Sequence, residues 1–343
     1  MTAAVRDPQP LSLWAVSDGR AGIANQVLGL AEAVARLAPT DIVVKTLRYA
    51  PVFDRWPTAL RLWPDAMLAN GSDRIVAPWP DIWIAAGRAT LPHSRRMRAR
   101  GGGRTLVVQL QDPGDVSAFD LVIAPEHDSV FGVNTFSLLG STNRVTRERL
   151  TRDAAAWATR LADLPHPRIA TLIGGRSKTH DLTPERAAAL ARDLRGVVEA
   201  SGGSLLLSLS RRTPDAARRI LSDQLRDLPG HIYDGTRAGV AGENPYFAFL
   251  DAADHILVTE DSVNMAAEAA VTGKPVHVLA MDRLRPGGKF DLFHRSLRDK
   301  GITRPFTGGL PEWRYAPLDE TARAARKVLD VFNAKFPDRS VNT

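Results

Sequence analysis

The segment HILVTEDSVNMAAEAAVTGKPVHVL (255–279) places hydroxyl, carboxylate and amide side chains between an apolar strand-like run and an Ala-rich helical pattern. Ser262, Asn264 and Met265 stand at the expected start of that helix, where free N–H groups attract an anion such as phosphate. Glu268 shares a helix face with Asn264 through i,i+4 spacing. A carboxylate there accepts hydrogen bonds from a ribose diol, so the segment favours a phosphorylated ribose over the alternative of a solvated surface glutamate.

Three other segments in the second half of the chain carry related chemistry: IGGRSK (173–178), SRRTP (210–214) and GENPY (242–246). Glycine pairs permit close backbone approach, and Arg, Lys and helix N-termini suit a diphosphate. Residues just before a helix offer backbone or a ring to a nucleobase. One phosphate-rich ligand explains the set better than unrelated helix caps. The candidate binding residues are Gly174, Gly175, Arg176, Lys178, Ser210, Arg211, Arg212, Asn244, Pro245 and Tyr246.

The first half of the chain places polar residues after several expected strands. Asp18, Asp112 and His127 are candidate general bases for an acceptor hydroxyl, although a lone loop histidine is more often not catalytic. The candidate acceptor-binding residues are Gly19, Arg20, Asn25, Gln26, Gly87 and Arg88. Glycine spacing matches neither the dinucleotide nor the P-loop fingerprint. No metal-ligand spacing is present, so we expect no metal and no cofactor.

Short apolar runs alternate with helical patterns along the chain, which indicates strands buried on both faces of parallel sheets. Expected strands cover 11–17, 41–47, 81–87, 105–111 and 120–125, and then 168–175, 203–210, 230–235, 255–260 and 275–280. Two successive βα series predict an α/β fold with two doubly wound Rossmann-like domains facing across a cleft. The predicted domains are 11–163, 164–315, and a helix at 316–338 that packs back on the first.

The composition of the chain limits the classes of protein to which it can belong. The chain has 343 residues, 44% hydrophobic and 24% charged, with no cysteine, which excludes disulfides, thiolate metal sites and cysteine nucleophiles. A net charge of +7 attracts phosphates, but no nucleic-acid-binding motif is present, so we expect no nucleic acid partner. No apolar run is long enough to cross a bilayer and no signal-peptide core is present. We expect a cytoplasmic protein, with peripheral contact to the inner face of the membrane as one option.

That option comes from VFDRWPTALRLWPDAML (52–68), where apolar residues recur at spacings of three and four: Phe53, Trp56, Leu60, Trp63 and Met67. Such a stripe predicts either an interfacial helix on anionic lipid or a helix that faces the core. Pro57 and Pro64 interrupt the pattern, and two tryptophans are hard to bury fully. Both interpretations stay open from the sequence.

The combination SDGRAG…NQ…GLAEA, AAGR, QDP, PEHD, IGG, SRRTP, GENPY and TEDSVNM…EA…TGKPV resembles the mitochondrial-fission ELM-type family of plants and bacteria, over roughly residues 11–310. Its second domain is similar to the donor half of GT-B glycosyltransferases. The resemblance implies that Ser262, Asn264 and Met265 meet a diphosphate and that Glu268 meets the ribose. It also implies that Asn244–Tyr246 meet the base.

Residues and resemblance together predict a GT-B-type glycosyltransferase. It would move a sugar from a nucleotide-diphosphate sugar to an envelope lipid or saccharide without a metal, because Arg176, Lys178, Arg211 and Arg212 stabilise the leaving diphosphate. The alternative is a non-catalytic peripheral membrane adaptor with the same fold, acting in membrane or organelle division. A GT-B-like epimerase that needs no NAD is a weaker third possibility.

Overall fold

The computed structural model describes residues 9–235, 244–285 and 288–341. The chain divides into two compact units. The first comprises Met1–Arg144 together with Asp319–Thr343, and the second comprises Val145–Leu318. Gly242 and Glu243 of the GENPY motif lie outside the described residues.

The first unit is built on a parallel six-stranded sheet with the order β2-β1-β3-β4-β5-β6. Its strands are β1 (Leu11–Ser17), β2 (Thr40–Thr46), β3 (Ile82–Ala86), β4 (Leu106–Leu110), β5 (Leu121–Pro125) and β6 (Thr135–Leu138). Its helices are α1 (Ala21–Leu37), α2 (Pro51–Asp54) and α3 (Leu91–Arg100), with 3-10 turns at Thr58–Leu60 and Glu126–Asp128.

The second unit has a parallel six-stranded sheet with the order β10-β9-β7-β11-β12-β14 and an antiparallel β13–β8 pair. Its strands are β7 (Arg168–Ile173), β8 (His180–Asp181), β9 (Ser204–Leu209), β10 (Gly230–Tyr233), β11 (His255–Thr259), β12 (Val276–Leu279), β13 (Asp282–Arg283) and β14 (Thr303–Pro305). Its helices are α4 (Arg147–Ala155), α5 (Ala158–Leu161), α6 (Pro184–Ser201), α7 (Asp215–Leu225), α8 (Tyr246–Ala252), α9 (Val263–Ala270) and α10 (Lys289–Asp299). The last helix, α11 (Glu320–Lys335), belongs to the first unit, and a 3-10 turn follows at Pro337–Arg339.

The side chains of β3 point alternately to the two faces of the sheet, and both faces are covered. Ile82, Ile84 and Ala86 pack into the cluster that contains α1 and α11, whereas Trp83 and Ala85 pack into the cluster on the opposite face. A strand with both faces covered needs no polar alternation. This explains why continuous apolar runs marked the strands.

The unit boundary differs from the predicted one. The predicted first domain ended at 163, but α4 and α5 lie with the second unit, whose first residue is Val145. The reason is packing: α4 contacts α8, the guanidinium of Arg149 lies 4.4 Å from the ring centre of Phe247, and the rings of Trp157 and Phe249 are 5.6 Å apart. At the other end, α11 packs on α1.

The helical stripe predicted over 52–68 is interrupted, as its two prolines suggested, and most of it is not helical. Helix α2 ends at Asp54, and only a 3-10 turn at Thr58–Leu60 follows, because Pro57 and Pro64 disrupt helical hydrogen bonding. Phe53 packs against the buried Tyr49 and Met67, while other members of the stripe are exposed. Among the described residues, no helix has the length and apolar character needed to span a membrane.

Each sheet has one point at which the strand order reverses. It lies between β1 and β3 in the first unit and between β7 and β11 in the second. Open α/β sheets bind ligands beyond the carboxyl ends of the strands at such points. The residues that follow these four strands are therefore the candidates for function.

Candidate functional site

At the reversal point of the second sheet, two glycines follow β7. The Gly174 N–H donates to Thr259 Oγ1 at 2.8 Å, and the Gly175 N–H donates to Asp261 Oδ2 at 3.1 Å. A Cβ on Gly174 would lie 2.2 Å from Asp261 Oδ1, and one on Gly175 would lie 2.1 Å from the carbonyl oxygen of Arg212. Glycine is thus required by close approach at both positions.

Asp261 is the centre of this contact and is only 2% exposed. Its carboxylate accepts from Thr259 Oγ1 at 2.7 Å as well as from Gly175, and Arg212 Nη2 lies 2.8 Å from Oδ2. The side chain of Arg212 keeps 44% exposure. Asp261 therefore holds a half-exposed guanidinium at the reversal point. The sequence analysis did not select Asp261, although its place two residues after β11 was a signal.

The SRRTP loop is tied to the glycine loop through its hydroxyls. Ser210 Oγ and Thr213 Oγ1 donate to the Gly174 carbonyl at 2.8 and 2.6 Å. The Arg176 N–H donates to the Arg212 carbonyl at 3.2 Å. Ser210 thus joins the two loops, and this linkage fixes the backbone that carries the arginines.

The cationic side chains around this edge extend into solvent. Arg176 is 72% exposed and only 3.8 Å from Asp181 at its Nε, and Lys178 and Arg211 are exposed. Together with Arg212 they supply positive charge beside the two loops. Such groups bind phosphate oxygens through charge-assisted hydrogen bonds.

The start of α9 faces the same strand end. Ser262 is its N-cap, and Ser262 Oγ accepts from the Met265 N–H at 3.3 Å. Asn264 is half-buried in the first turn. The N-terminus of a helix carries partial positive charge, so α9 adds to the anion-attracting character of this edge.

Glu268 and Tyr246 come from two different motifs and are in contact. The Tyr246 hydroxyl donates to Glu268 Oε2, and Glu268 is only 8% exposed, which rules out a solvated surface glutamate. Burial raises the pKa of Glu268 to about 7, against the opposing effect of the Tyr246 hydrogen bond. Burial also raises the pKa of Tyr246 well above its usual range. Tyr246 therefore covers the carboxylate that the sequence assigned to a ribose.

The segment before α8 is ordered by its own polar residue. Asn244 is exposed, and its Oδ1 accepts from the Tyr246 N–H at 3.1 Å; Pro245 is buried at the N-cap of α8. This turn brings the candidate base-contacting residues to the side of α9 that carries Glu268.

Lys274 of the TGKPV motif does not lie at the strand end that carries the glycine loop. It precedes β12, at the amino end of the strand, and its Nζ donates to the Leu250 carbonyl at 2.8 Å and to the Asp251 carbonyl. These are the last-turn carbonyls of α8. Lys274 thus caps a helix and lies at the opposite end of the strands from the glycine loop.

In the first unit, Asp18 lies at the reversal point. A Cβ on Gly87 would be 2.8 Å from Asp18 Oδ2. The Arg20 Nε donates to the same oxygen at 2.8 Å, and this hydrogen bond raises the pKa of Arg20. Gly19 and Gly87 have φ values of +77° and +91°, a region that favours glycine.

The other first-unit candidates do not gather around Asp18. Asp112 is exposed after β4, with Oδ1 accepting from the Gly114 N–H at 2.8 Å, and His127 is half-buried after β5. Strand β3 separates β1 from β4 and β5. Gln26 is buried and accepts from Gln111 Nε2 at 2.9 Å. Asn25 is half-buried and Arg88 is exposed.

A cavity of about 520 Å³ lies along β10 and the second half of α7, and its lining includes Trp157, Arg226, His231 and Phe249. It is not at the carboxyl ends of β7 and β11. We therefore do not place the candidate ligand site of the second unit in this cavity.

The two parallel sheets with their reversal points define a GT-B-like fold of two Rossmann-like units. Solved structures agree. A UDP-GlcNAc 2-epimerase from Neisseria meningitidis bound to UDP-GlcNAc is 13% identical with a TM-score of 0.50, covering 97% of this chain and 95% of that one. A UDP-GlcNAc 2-epimerase from Methanocaldococcus jannaschii in complex with UDP-GlcNAc and UDP is 12% identical with a TM-score of 0.51, covering 93% and 98%. At this identity the likeness shows the fold alone.

Within that fold the chain belongs to the mitochondrial fission ELM1 family, whose model matches residues 21–332. The mitochondrial fission protein ELM1 of Arabidopsis thaliana is 32% identical over 277 residues, 73% of this chain and 63% of the plant protein. The chain thus spans less than two thirds of that relative. An uncharacterized protein of Rickettsia prowazekii (strain Madrid E) is 24% identical over 351 residues, covering 92% of this chain and 97% of that protein.

Proposed function

We propose that the second unit binds a nucleotide-diphosphate sugar and that the protein is a GT-B-type glycosyltransferase. The observation that supports this most directly is the convergence at the β7/β11 reversal point. There the Gly174–Gly175 loop, the Arg212 guanidinium held by Asp261 and the N-terminus of α9 meet at one sheet edge. This combination suits a diphosphate.

In this proposal the diphosphate is bound by Arg211, Arg212, Arg176 and Lys178 with the first turn of α9. Their charge stabilises the leaving nucleotide without a metal. Glu268 accepts from the ribose, and Asn244 to Tyr246 contact the base. Because the Tyr246 hydroxyl occupies Glu268 Oε2, ribose binding uses the remaining acceptor positions of the carboxylate or displaces the tyrosine.

The first unit binds the acceptor, an envelope lipid or saccharide. The acceptor hydroxyl attacks the anomeric carbon of the donor sugar, its proton passes to a general base, and the nucleoside diphosphate leaves. Among Asp18, Asp112 and His127 we favour Asp18, because it lies at the β1/β3 reversal point. Arg20 keeps its carboxylate in place.

A membrane-bound acceptor fits the exposed apolar residues after α2. Trp56, Leu60 and Trp63 are 40%, 54% and 69% exposed, and tryptophan favours the membrane interface. Phe53 does not share this role, because it packs on the core. We propose a cytoplasmic location with peripheral contact to the inner face of the membrane through these three residues.

The experiment is a thermal-shift screen with UDP-, GDP-, ADP- and CMP-sugars, using wild type, Arg212→Gln and the control Arg219→Gln, which changes an exposed arginine on α7. A ligand at a hundred times its Kd adds about 2.7 kcal/mol of stability. We expect one donor to stabilise wild type and the control and to bind the Arg212 variant at least about tenfold more weakly. If no donor stabilises wild type, the proposal fails.

A separate outcome would identify a different enzyme. If the protein converts the sugar of the donor into its epimer in the absence of an acceptor, it is an epimerase instead.

The alternative is a non-catalytic membrane adaptor. It is favoured by the same exposed apolar residues and by the family's link to the plant mitochondrial fission protein. An adaptor retains membrane or partner binding and cellular function in the double variant Arg211→Ala, Glu268→Ala, whereas the transferase loses function. Loss of function with the fold intact excludes the adaptor.

A further inference from the structure

Three buried polar side chains in the first unit have atoms without partners, and they lie together. Tyr49, Arg61 and His93 are 5%, 4% and 0% exposed. Within the described residues, the Tyr49 hydroxyl, Arg61 Nε and Nη1, and His93 Nε2 are buried without a hydrogen bond, whereas His93 Nδ1 lies 3.4 Å from Asp65 Oδ1. Buried polar groups in native proteins are nearly always paired. A cluster of such atoms therefore indicates a partner that is not part of the chain.

The geometry of the cluster is compact. The Arg61 guanidinium carbon lies 4.1 Å from the Tyr49 ring centre, and the Tyr49 and His93 rings are 6.2 Å apart. In the part of the chain that the structure describes, Arg61 donates hydrogen bonds from Nη2 alone, to the Asp54 and Trp56 carbonyls at 2.7 and 3.3 Å. The other edge of the guanidinium fork is left for a ligand, and a fork of this kind matches phosphate and carboxylate oxygens.

The charge around the cluster favours an anion. Arg96 Nη2 donates to the Leu62 carbonyl at 2.7 Å, and Arg100 binds Asp65. Among the described residues, the charges that act on Tyr49 and His93 are thus three cations, Arg61, Arg96 and Arg100, and one carboxylate, Asp65. His93 adds no charge near neutral pH, because burial lowers its pKa to about 4. The neutral ring has one N–H, which goes either to Asp65 from Nδ1, 3.4 Å away, or to a bound anion from Nε2.

The segment above the cluster is apolar and exposed. It carries five exposed apolar side chains, with fractions between 40% and 69%: Val52, Trp56, Leu60, Leu62 and Trp63. The same stretch of chain thus presents apolar groups outward and an unpaired cation inward. A ligand with an anionic head and an apolar tail matches both features, and a water-soluble anion matches only one.

We infer that Tyr49, Arg61 and His93 form a binding site for the phosphate head group of an anionic membrane lipid. The unpaired atoms of the three groups have almost no accessible surface, so the lipid enters when segment 51–65 separates from α3 and its exposed tryptophans insert into the bilayer. The phosphate then pairs with Arg61 Nε and Nη1 and accepts from Tyr49 and His93. This deepens the membrane contact proposed above and is independent of glycosyl transfer.

The decisive variant is Tyr49→Phe, because it removes a hydroxyl that makes no hydrogen bond to any of the described residues. A purely structural hydroxyl of this kind stabilises nothing, so the melting temperature should stay equal or rise. The control is Tyr315→Phe, which removes a hydroxyl bonded to the Lys274 carbonyl at 2.7 Å. That control should lower stability and leave lipid binding unchanged.

The test measures co-sedimentation of the full chain with vesicles of phosphatidylcholine alone and of phosphatidylcholine mixed with phosphatidic acid. We expect wild type to bind the mixed vesicles, Tyr49→Phe to bind them about tenfold more weakly, and Trp63→Ser to be weakened as well. Inorganic phosphate should not raise the melting temperature as the mixed vesicles do.

Equal binding of the mixed vesicles by Tyr49→Phe and wild type overturns the site but leaves the membrane contact standing. Equal binding to both vesicle types, or equal stabilisation by free phosphate, overturns the lipid-phosphate assignment. No vesicle binding by wild type overturns the membrane contact itself.

Discussion

Asp261 connects three segments that are distant in sequence: the strand end at Thr259, the glycine loop and Arg212. A fully buried carboxylate is tolerated only when its hydrogen-bonding capacity is met. Gly174 makes room for it, since a Cβ there would overlap the carboxylate at 2.2 Å. At the scale of single residues, the glycine and the aspartate therefore depend on each other.

The contact between Gly174 and Asp261 predicts that removing the carboxylate relieves the cost of a substitution at Gly174. Gly174→Ala should lower the free energy of unfolding by about 2 kcal/mol through overpacking. In an Asp261→Ala background the same change should cost less than about 0.5 kcal/mol, because the overlapping atoms are gone. Urea unfolding of the four proteins measures this. Gly196→Ala is the matched control, since its Cβ meets nothing within 4 Å. Equal penalties in both backgrounds would contradict the contact.

Glu268 predicts a pH dependence of stability. Its pKa is raised by burial from 4.5 to about 7, so the native state holds a proton that the unfolded state has released between these values. Stability therefore falls as pH rises through this window, by about 3 kcal/mol at most. Glu268→Gln should remove this slope in urea unfolding measured across the window. Glu185→Gln, an exposed carboxyl on α6, is the control and should keep it.

At the scale of elements, the sequence could predict those whose signal is local. Strands such as β3 and β11 are continuous apolar runs buried on both faces, and Ser262 caps α9 as expected of a helix start. The sequence of α4 gave no such signal that the helix belongs to the second unit, because its contacts with α8 join residues about a hundred positions apart. The covering of Glu268 by Tyr246 is likewise a long-range contact, beyond the reach of motif spacing.

Helix α8 depends on a lysine outside it. Lys274 Nζ donates to its last-turn carbonyls, and such C-terminal cations satisfy groups the helix leaves open. Lys274→Met should lower the free energy of unfolding by about 1–2 kcal/mol and leave donor affinity unchanged. Lys300→Met, at an exposed position after α10, should change neither. Weaker donor binding with unchanged stability in Lys274→Met would instead place this residue at the ligand site.

At the scale of the whole molecule, the chain builds its first unit from both ends. Residues of α11, among them Val328, Leu329 and Phe332, lie in the same buried cluster as α1 and β3. Glu320 also accepts from the Leu139 N–H at 2.8 Å. The second unit is then a continuous stretch, Val145–Leu318, with its own core.

This arrangement predicts which fragment folds alone. Residues 145–318 should form a cooperative unit in circular dichroism and retain the donor that stabilises the full chain. A fragment that starts at 164 lacks α4 and α5, so it exposes Phe247 and Phe249, which Arg149 and Trp157 cover. Losing buried aromatic contact of this kind costs about 3 kcal/mol, so its melting temperature should fall well below that of 145–318. Equal stability of the two fragments would place the boundary near 163 after all, because α4 would then contribute nothing to the second unit.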